Sequence, residues 1–191
     1  MSPGVLQKHF FHYSVKIQIM YFLDFDRTCF DTDSFIVYLK THPVAGQWSH
    51  LHEMEFGTML NSAVAEGSLA FSPGELSRFL YEDAGRFLRD KENGVMLITH
   101  SNPALQKAKV ESSLYGIPRI STIYTGDVRK GEYLAPHIGM YGATPIFVDD
   151  TVLELEIFSA NCPGAVVYEM RRNGEPGDGR WPVLISLSSL V

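Results

Sequence analysis

Ile17-Gln-Ile-Met-Tyr-Phe-Leu-Asp24-Phe-Asp26-Arg-Thr28-Cys-Phe30 is the stretch whose reading decides the fold. It starts as a near-continuous apolar run, the pattern of a strand buried on both faces, and ends abruptly in acid. Residues i and i+2 of a strand share a side, so Asp24 and Asp26 are expected at one site at its C-terminal end. Two carboxylates placed there are costly without a metal, a proton or a catalytic duty. The plainer alternative is a polar exit from the sheet, since strands often end in Asp at a turn. The rest of the chain has to decide.

Beyond Phe30 the pattern turns helical. From Asp31 to about Asn93 there is little sign of buried strand. Ser34–Leu39 reads as a short helix beginning near Asp31 or Asp33, and Gln47–Ala65 as a longer one. Ser72, Pro73 and Glu75 form a helix-start signature, followed by Leu76, Phe79, Leu80 and Phe87 at helical spacing, with Asn93-Gly94 as the stop. About sixty residues of this kind are best read as a helical insertion. Its aromatics, among them Phe35, Tyr38, Phe56, Phe79 and Phe87, are expected to form mostly the insertion's own core.

From Gly94 onward, strands alternate with helices. Strands are expected at Val95–Ile98, Ile120–Tyr124, Pro145–Val148 and Gly164–Met170, with a shorter one within Trp181–Ile185. Helices are expected from Pro103 (capped by Ser101 or Asn102) to Gly116, near Lys130-Gly131, and over Thr151–Ala160. This alternation implies an α/β fold, a Rossmann-like parallel sheet flanked by helices, with a small all-helical segment inserted after the first strand. The expected organisation is an N-terminal extension over residues 1–14, a core over 15–31 and 93–191, and a helical cap over 32–92. Ligands of such sheets bind outside the carboxyl ends of the strands. Three apolar strands end there in Asp24/Asp26, Thr99 and Asp149/Asp150, so topology should gather residues far apart in sequence.

Composition narrows the function classes. The chain has 191 residues, 45% hydrophobic and 20% charged, and a formal net charge of −6. That balance argues against a general nucleic-acid binder or an anionic-membrane binder, which need a positive field. Two cysteines without paired spacing, Cys29 and Cys162, fit a reduced, cytoplasmic setting better than a disulfide or zinc framework. Cys29 is expected to be a buried small residue. His50-Leu-His52-Glu53-Met-Glu55 invites a zinc reading, but residues two apart on a helix do not face each other, so a solvated face is expected instead.

The set Asp24, Asp26, Thr99, Lys130, Asp149 and Asp150 resembles, in order and spacing, the four motifs of the haloacid dehalogenase-like (HAD) superfamily. Phe-Leu-Asp24-Phe-Asp26-Arg-Thr28 is similar to the first motif, Leu-Ile-Thr99 to the second, Lys130 to the third, and Ile-Phe-Val-Asp149-Asp150 to the fourth. Arg129 stands beside Lys130 as the other candidate for the third. Arg27 is a departure, because glycine is commonest there. The resemblance covers Tyr21 to the C-terminus, and the insertion matches the family's C1 cap position. It implies Asp24 as nucleophile, forming an aspartyl-phosphate, and Asp26 as general acid and then base. Thr99 and Lys130 would hold the phosphoryl oxygens. His100, which follows Thr99 at the mouth, reads from its position either as a substrate contact or as a loop histidine. Asp24, the Asp26 backbone carbonyl and Asp149 would hold Mg²⁺, with Asp150 reaching it through water or standing behind its ligands.

Charge counting supports a cation independently. A phosphate dianion with three ionised aspartates sums to about −5, and each like-charged pair near ~4 Å costs on the order of 4 kcal/mol. Lys130 alone cannot offset this, and a hard divalent cation with oxygen ligands can. The same crowding is expected to raise the pKa of Asp26. Helix N-termini after Thr99 and Asp150 are expected to add amide donors.

The expected function is therefore Mg²⁺-dependent hydrolysis of a small phosphorylated metabolite under a cap that closes over it, with no nucleic-acid or membrane partner. A phosphotransferase or phosphomutase would share the covalent step, and a non-catalytic binding protein would share only the fold. A dehalogenase would leave Asp26 without an evident role. A receiver-like signalling domain would place its acidic pair before the phosphorylated aspartate, whereas here the pair comes last.

Overall fold

The computed structural model describes residues 19–91, 94–117 and 120–190. The N-terminal extension expected over residues 1–14 lies outside these, as do Asn93 and Pro118. Six strands, β1 (Ile19–Asp24), β2 (Val95–Thr99), β3 (Ser121–Tyr124), β4 (Thr144–Asp149), β5 (Val166–Met170) and β6 (Val183–Leu184), form one sheet in the order β3-β2-β1-β4-β5-β6. All its pairings are parallel. This is the expected α/β architecture, with the apolar run at its centre.

Alternation along β1 sorts its side chains between two layers. Tyr21 and Leu23 join one hydrophobic cluster, and Phe22 joins another with Phe147 and Phe158. Phe147 and Phe158 stack with centroids 4.0 Å apart, fastening α6 (Val152–Asn161) to β4. α5 (Lys130–Leu134) lies so close to α6 that a Cβ on Gly131 would sit 2.6 Å from Phe158 Cα. Glycine at 131 is what brings the neighbouring Lys130 this near the sheet. Pro136 ends the regular helix, as its missing N–H requires, and a 3₁₀ turn over Ile138–Tyr141 follows.

The insertion differs from its expected pattern. α1 (Thr32–Thr41) is capped by Asp31, whose carboxylate accepts from the Ser34 amide at 3.0 Å. The helix expected over Gln47–Ala65 is two elements, a 3₁₀ turn at Ala45–Trp48 and α2 (Glu53–Ala65), with His52 extended between them. Glu53 and Glu55 then face the favourable end of the α2 dipole.

No helix starts at Ser72. Gly74 adopts φ +81°, Glu75 turns back to accept from the Ser72 amide at 2.8 Å, and Leu80 pairs with Phe30 in an antiparallel bridge. Tertiary pairing thus overrides helical spacing, and α3 begins only at Glu82 (Glu82–Asp90). Nor do the insertion's aromatics keep to themselves. Phe35 packs on Phe30 (5.3 Å) and Phe87 on Tyr21 (5.0 Å), so a single cluster runs from the insertion to the sheet.

The helix after β2 is α4 (Pro103–Ser113), shorter than expected. Neither Ser101 nor Asn102 caps it through a side chain. Asn61 of α2 does so, its Oδ1 accepting from the amides of Ala104 (3.0 Å) and Leu105 (3.1 Å). The insertion therefore supplies the cap of a core helix. Among the described residues, no helix is long and apolar enough to cross a membrane.

Candidate active site

Register gathers the acidic strand ends. Leu23 pairs with Val148 and Asp24 with Ile98, so Asp24 and Asp149 end side by side with Thr99 one step further along β2. Carboxylate oxygens of Asp24, Asp149 and Asp150 lie within 4.8 Å of one another, and Asp24 and Asp149 are buried. Lys130 stands between those two. Its Nζ donates to Asp24 Oδ1 at 2.5 Å and to Asp149 Oδ2 at 2.6 Å. Asp149 Oδ1 accepts from the Thr151 amide at 2.9 Å. Asp24 Oδ2 is buried and has no hydrogen-bond partner among the described residues.

The electrostatics follow from crowding. Burial pushes the Asp24 pKa well up, against the pull of Lys130 and with the repulsion of Asp149, Asp150 and Asp26. Burial also raises Asp149, despite Lys130 and the Thr151 amide. Asp150 is pushed up to about 6, by burial and by Asp149. Burial alone would lower the Lys130 ammonium, but Asp149 and Asp24 outweigh it and raise its pKa. One cation is too little for three acids. The oxygen-only donor set of three clustered carboxylates fits a hard divalent ion.

Arg129 is turned elsewhere. Its guanidinium donates to Glu154 Oε1 at 2.9 Å while the Lys130 amide donates to Glu154 Oε2 at 3.0 Å. Buried Glu154 of α6 thus fixes the start of α5 and leaves Lys130 as the amine at the rim.

Asp26 is not in the acidic cluster. Its carboxylate accepts from Thr32 Oγ1 at 2.5 Å, from Gln106 Nε2 at 2.6 Å and from the Lys109 ammonium. Burial works to raise its pKa, but Lys109 and these hydrogen bonds hold it below the usual carboxylate range. The expectation of a raised Asp26 fails because Lys109 was absent from the charge count.

Thr99 is buried at the end of β2, its carbonyl accepting from the Thr125 amide at 2.9 Å. His100 lines the neighbouring cleft, with Nδ1 3.1 Å from the Val128 carbonyl and 3.3 Å from Thr125 Oγ1. The first amides of α4 are not free donors, since Asn61 occupies those of Ala104 and Leu105. The Thr151 amide likewise goes to Asp149.

The cleft lies between α1, α2 and the start of α4, with a volume of about 360 Å³. Phe35, Leu39, Phe56, Leu60 and Leu105 give it apolar walls, and Asp26, Gln106 and Lys109 line its polar end. The exposed His52 borders it, whereas the His50–His52 stretch is not helical and belongs to no acid or histidine cluster among the described residues. Cys29 is fully buried, and burial raises its thiol pKa, so it stays protonated.

No protein-family model matches the sequence, and no curated protein does. Solved structures do match. A haloacid dehalogenase-like hydrolase described from Burkholderia xenovorans LB400 superposes with a TM-score of 0.66 at 16% identity, over 92% of this chain and 95% of that one. The chain has the HAD-like fold. The HAD-type YfnB of Bacillus subtilis, solved bound to magnesium, gives 0.60 at 13% identity over 92% and 97%. A structure described as a dehalogenase gives 0.58 at 17% over 91% and 95%. At these identities the likeness is one of fold.

Within that HAD-like frame, Gln106, Lys109, Thr32 and Glu154 were not singled out by sequence reasoning. One signal was available for two of them. The buried face of α4 runs Leu105, Gln106, Lys109, Val110, Ser113, so two large polar residues occupy positions where an apolar stripe belongs. Arg172 was also missed. It donates to the Thr28 carbonyl through Nε (3.0 Å) and Nη2 (2.5 Å) and to Asp83 through Nη1 (2.7 Å), bracing the loop that follows β1.

Proposed function

We propose that this chain is a member of the HAD superfamily and a Mg²⁺-dependent phosphomonoester hydrolase acting on a small phosphorylated metabolite. The observation that carries this reading is the buried, unpartnered Asp24 Oδ2, beside a lysine and two further carboxylates at the strand rim. Such an oxygen can act as nucleophile toward phosphorus while Oδ1 is held by Lys130. Asp24, Asp149 and Asp150, with the Asp26 carbonyl, would hold Mg²⁺, which when bound supplies positive charge for the phosphoryl oxygens.

Asp24 attacks phosphorus, an aspartyl-phosphate forms, and the bond to the leaving oxygen breaks. Asp26, held ionised by Lys109 in the free protein, first takes a proton from solvent in the cleft and then gives it to that oxygen, which departs as an alcohol. Charged again beside Lys109, Asp26 takes a proton from water, whose oxygen attacks phosphorus and frees Asp24. Lys130 offsets charge on the phosphoryl group, and Thr99 and His100 border it. Phosphate transfer to an alcohol acceptor would use the same first step, and Asp26, aimed into a cleft able to hold either water or an acceptor, serves both.

A phosphatase screen over a metabolite panel, with and without Mg²⁺, tests the reading. Turnover is expected only with the ion and is lost in Asp24→Asn. Turnover that survives in Asp24→Asn would sink the covalent route. Preferential transfer to added alcohols or sugars would identify a phosphotransferase.

A further inference from the structure

Lys109 is 3% exposed, in the middle of α4, where packing alone favours an apolar residue. Its ammonium lies 5.2 to 5.6 Å from the ring centroids of Phe25, Phe30 and Phe35. Desolvating a lysine is costly, and methionine would fill a similar volume without that cost. What the ammonium touches explains its presence. It bonds Asp26 Oδ1, and it lies 3.4 Å from Gln106 Oε1, which leaves the Gln106 amide to donate to Asp26 Oδ2 at 2.6 Å. Lys109 and Gln106, one helical turn apart, thus grip both carboxylate oxygens, and Thr32 from the insertion adds a third donor.

The direction of that grip matters. Asp26 is only two residues from Asp24, yet its carboxylate lines the cleft between α1, α2 and α4 and is not among the three clustered acids. We propose that Lys109 is a positioning residue, which together with Gln106 turns the Asp26 carboxylate from the acidic cluster into the cleft. There it meets the leaving group in the first step and water in the second. The chemical part rests on the phosphohydrolase reading above. The geometric part does not.

The test uses the full-length protein and Lys109→Met, Asp26→Asn and their double variant. In a crystal structure of Lys109→Met, the Asp26 side chain is expected to leave its cleft-facing rotamer. An unchanged rotamer overturns the proposal whether or not any substrate is found. In urea unfolding, the double variant is expected to recover part of the midpoint lost by Lys109→Met, because removing the Asp26 charge as well leaves no half-buried carboxylate without its cation. Additive losses overturn the pairing. If Lys109→Met does not fold, Gln106→Leu is read by the same rotamer criterion.

On the best substrate of the panel, kcat of Lys109→Met is expected to fall about a hundredfold with KM little changed, as for a misplaced reacting group. A folded Lys109→Met with wild-type kcat makes the lysine a purely structural ion-pair partner and overturns the proposal. Absence of wild-type turnover on any phosphoester counts against the hydrolase reading instead, and the rotamer result then decides the positioning claim.

Discussion

Replacing Lys130 with methionine isolates the physics of the rim. In the folded protein its amine bridges Asp24 at 2.5 Å and Asp149 at 2.6 Å, with all three side chains buried. At an effective dielectric of about 20, each contact contributes roughly 6 kcal/mol of gross attraction, most of which offsets desolvation of the partners. Removing the amine leaves two buried carboxylates facing one another. The expected loss of unfolding free energy at pH 7 in EDTA is about 3–5 kcal/mol, the range for a buried pair broken on one side.

The pH dependence has a definite sign. Asp24 and Asp149 already have raised pKa values, and without Lys130 they rise further. A carboxyl raised in the folded state favours folding in its protonated form, so its stability contribution is lost as pH rises. Lys130 has a raised pKa, so its own contribution is complete throughout the acidic and neutral range. The deficit of Lys130→Met should therefore shrink between pH 7 and pH 5. Urea denaturation of both proteins at the two pH values measures it, and saturating Mg²⁺ at pH 7 should narrow the same gap. A loss under about 1 kcal/mol, or one that stays constant from pH 7 to 5, would refute the argument.

Three further outcomes are expected. Asp150, raised to about 6, should lower the stability of the metal-free protein by about 2 kcal/mol as pH rises from about 4 to above 6, and Asp150→Asn should flatten that slope in urea titrations. Gly131→Ala drives a Cβ into the Phe158 backbone and should cost about 1–3 kcal/mol or more, read as a lower unfolding midpoint. Asn61→Ala removes the acceptor of two α4 amides and should cost about 1 kcal/mol, with faster hydrogen exchange at Ala104 and Leu105.

The sheet and the acidic rim were legible in sequence because both are local signals. Each central strand is a short apolar run, and the acids stand at its end, so Asp24, Thr99 and Asp149 needed only the parallel topology to meet. The insertion was less legible, since its boundaries depend on partners distant in sequence. Leu80 has perfect helical spacing and is taken by Phe30, and Ser101 and Asn102 yield the capping role to Asn61. Lys109 was hidden for a related reason. A lysine in a helix reads as surface until the three phenylalanines and Asp26 that enclose it are assembled around it.

Asn61 also constrains how anything reaches Asp26. A hinged lid over an enzyme's site can swing open freely when only side-chain packing holds it shut. Here α2 closes the first turn of the helix that carries Gln106 and Lys109, so swinging α2 outward would unpick that turn and loosen the grip on Asp26 together. Admission through the cleft mouth, past His52 and His100, leaves those bonds intact. The route inward is thus tied to the hold on Asp26, and a molecule that pried the insertion away would arrive at a carboxylate it had just set loose.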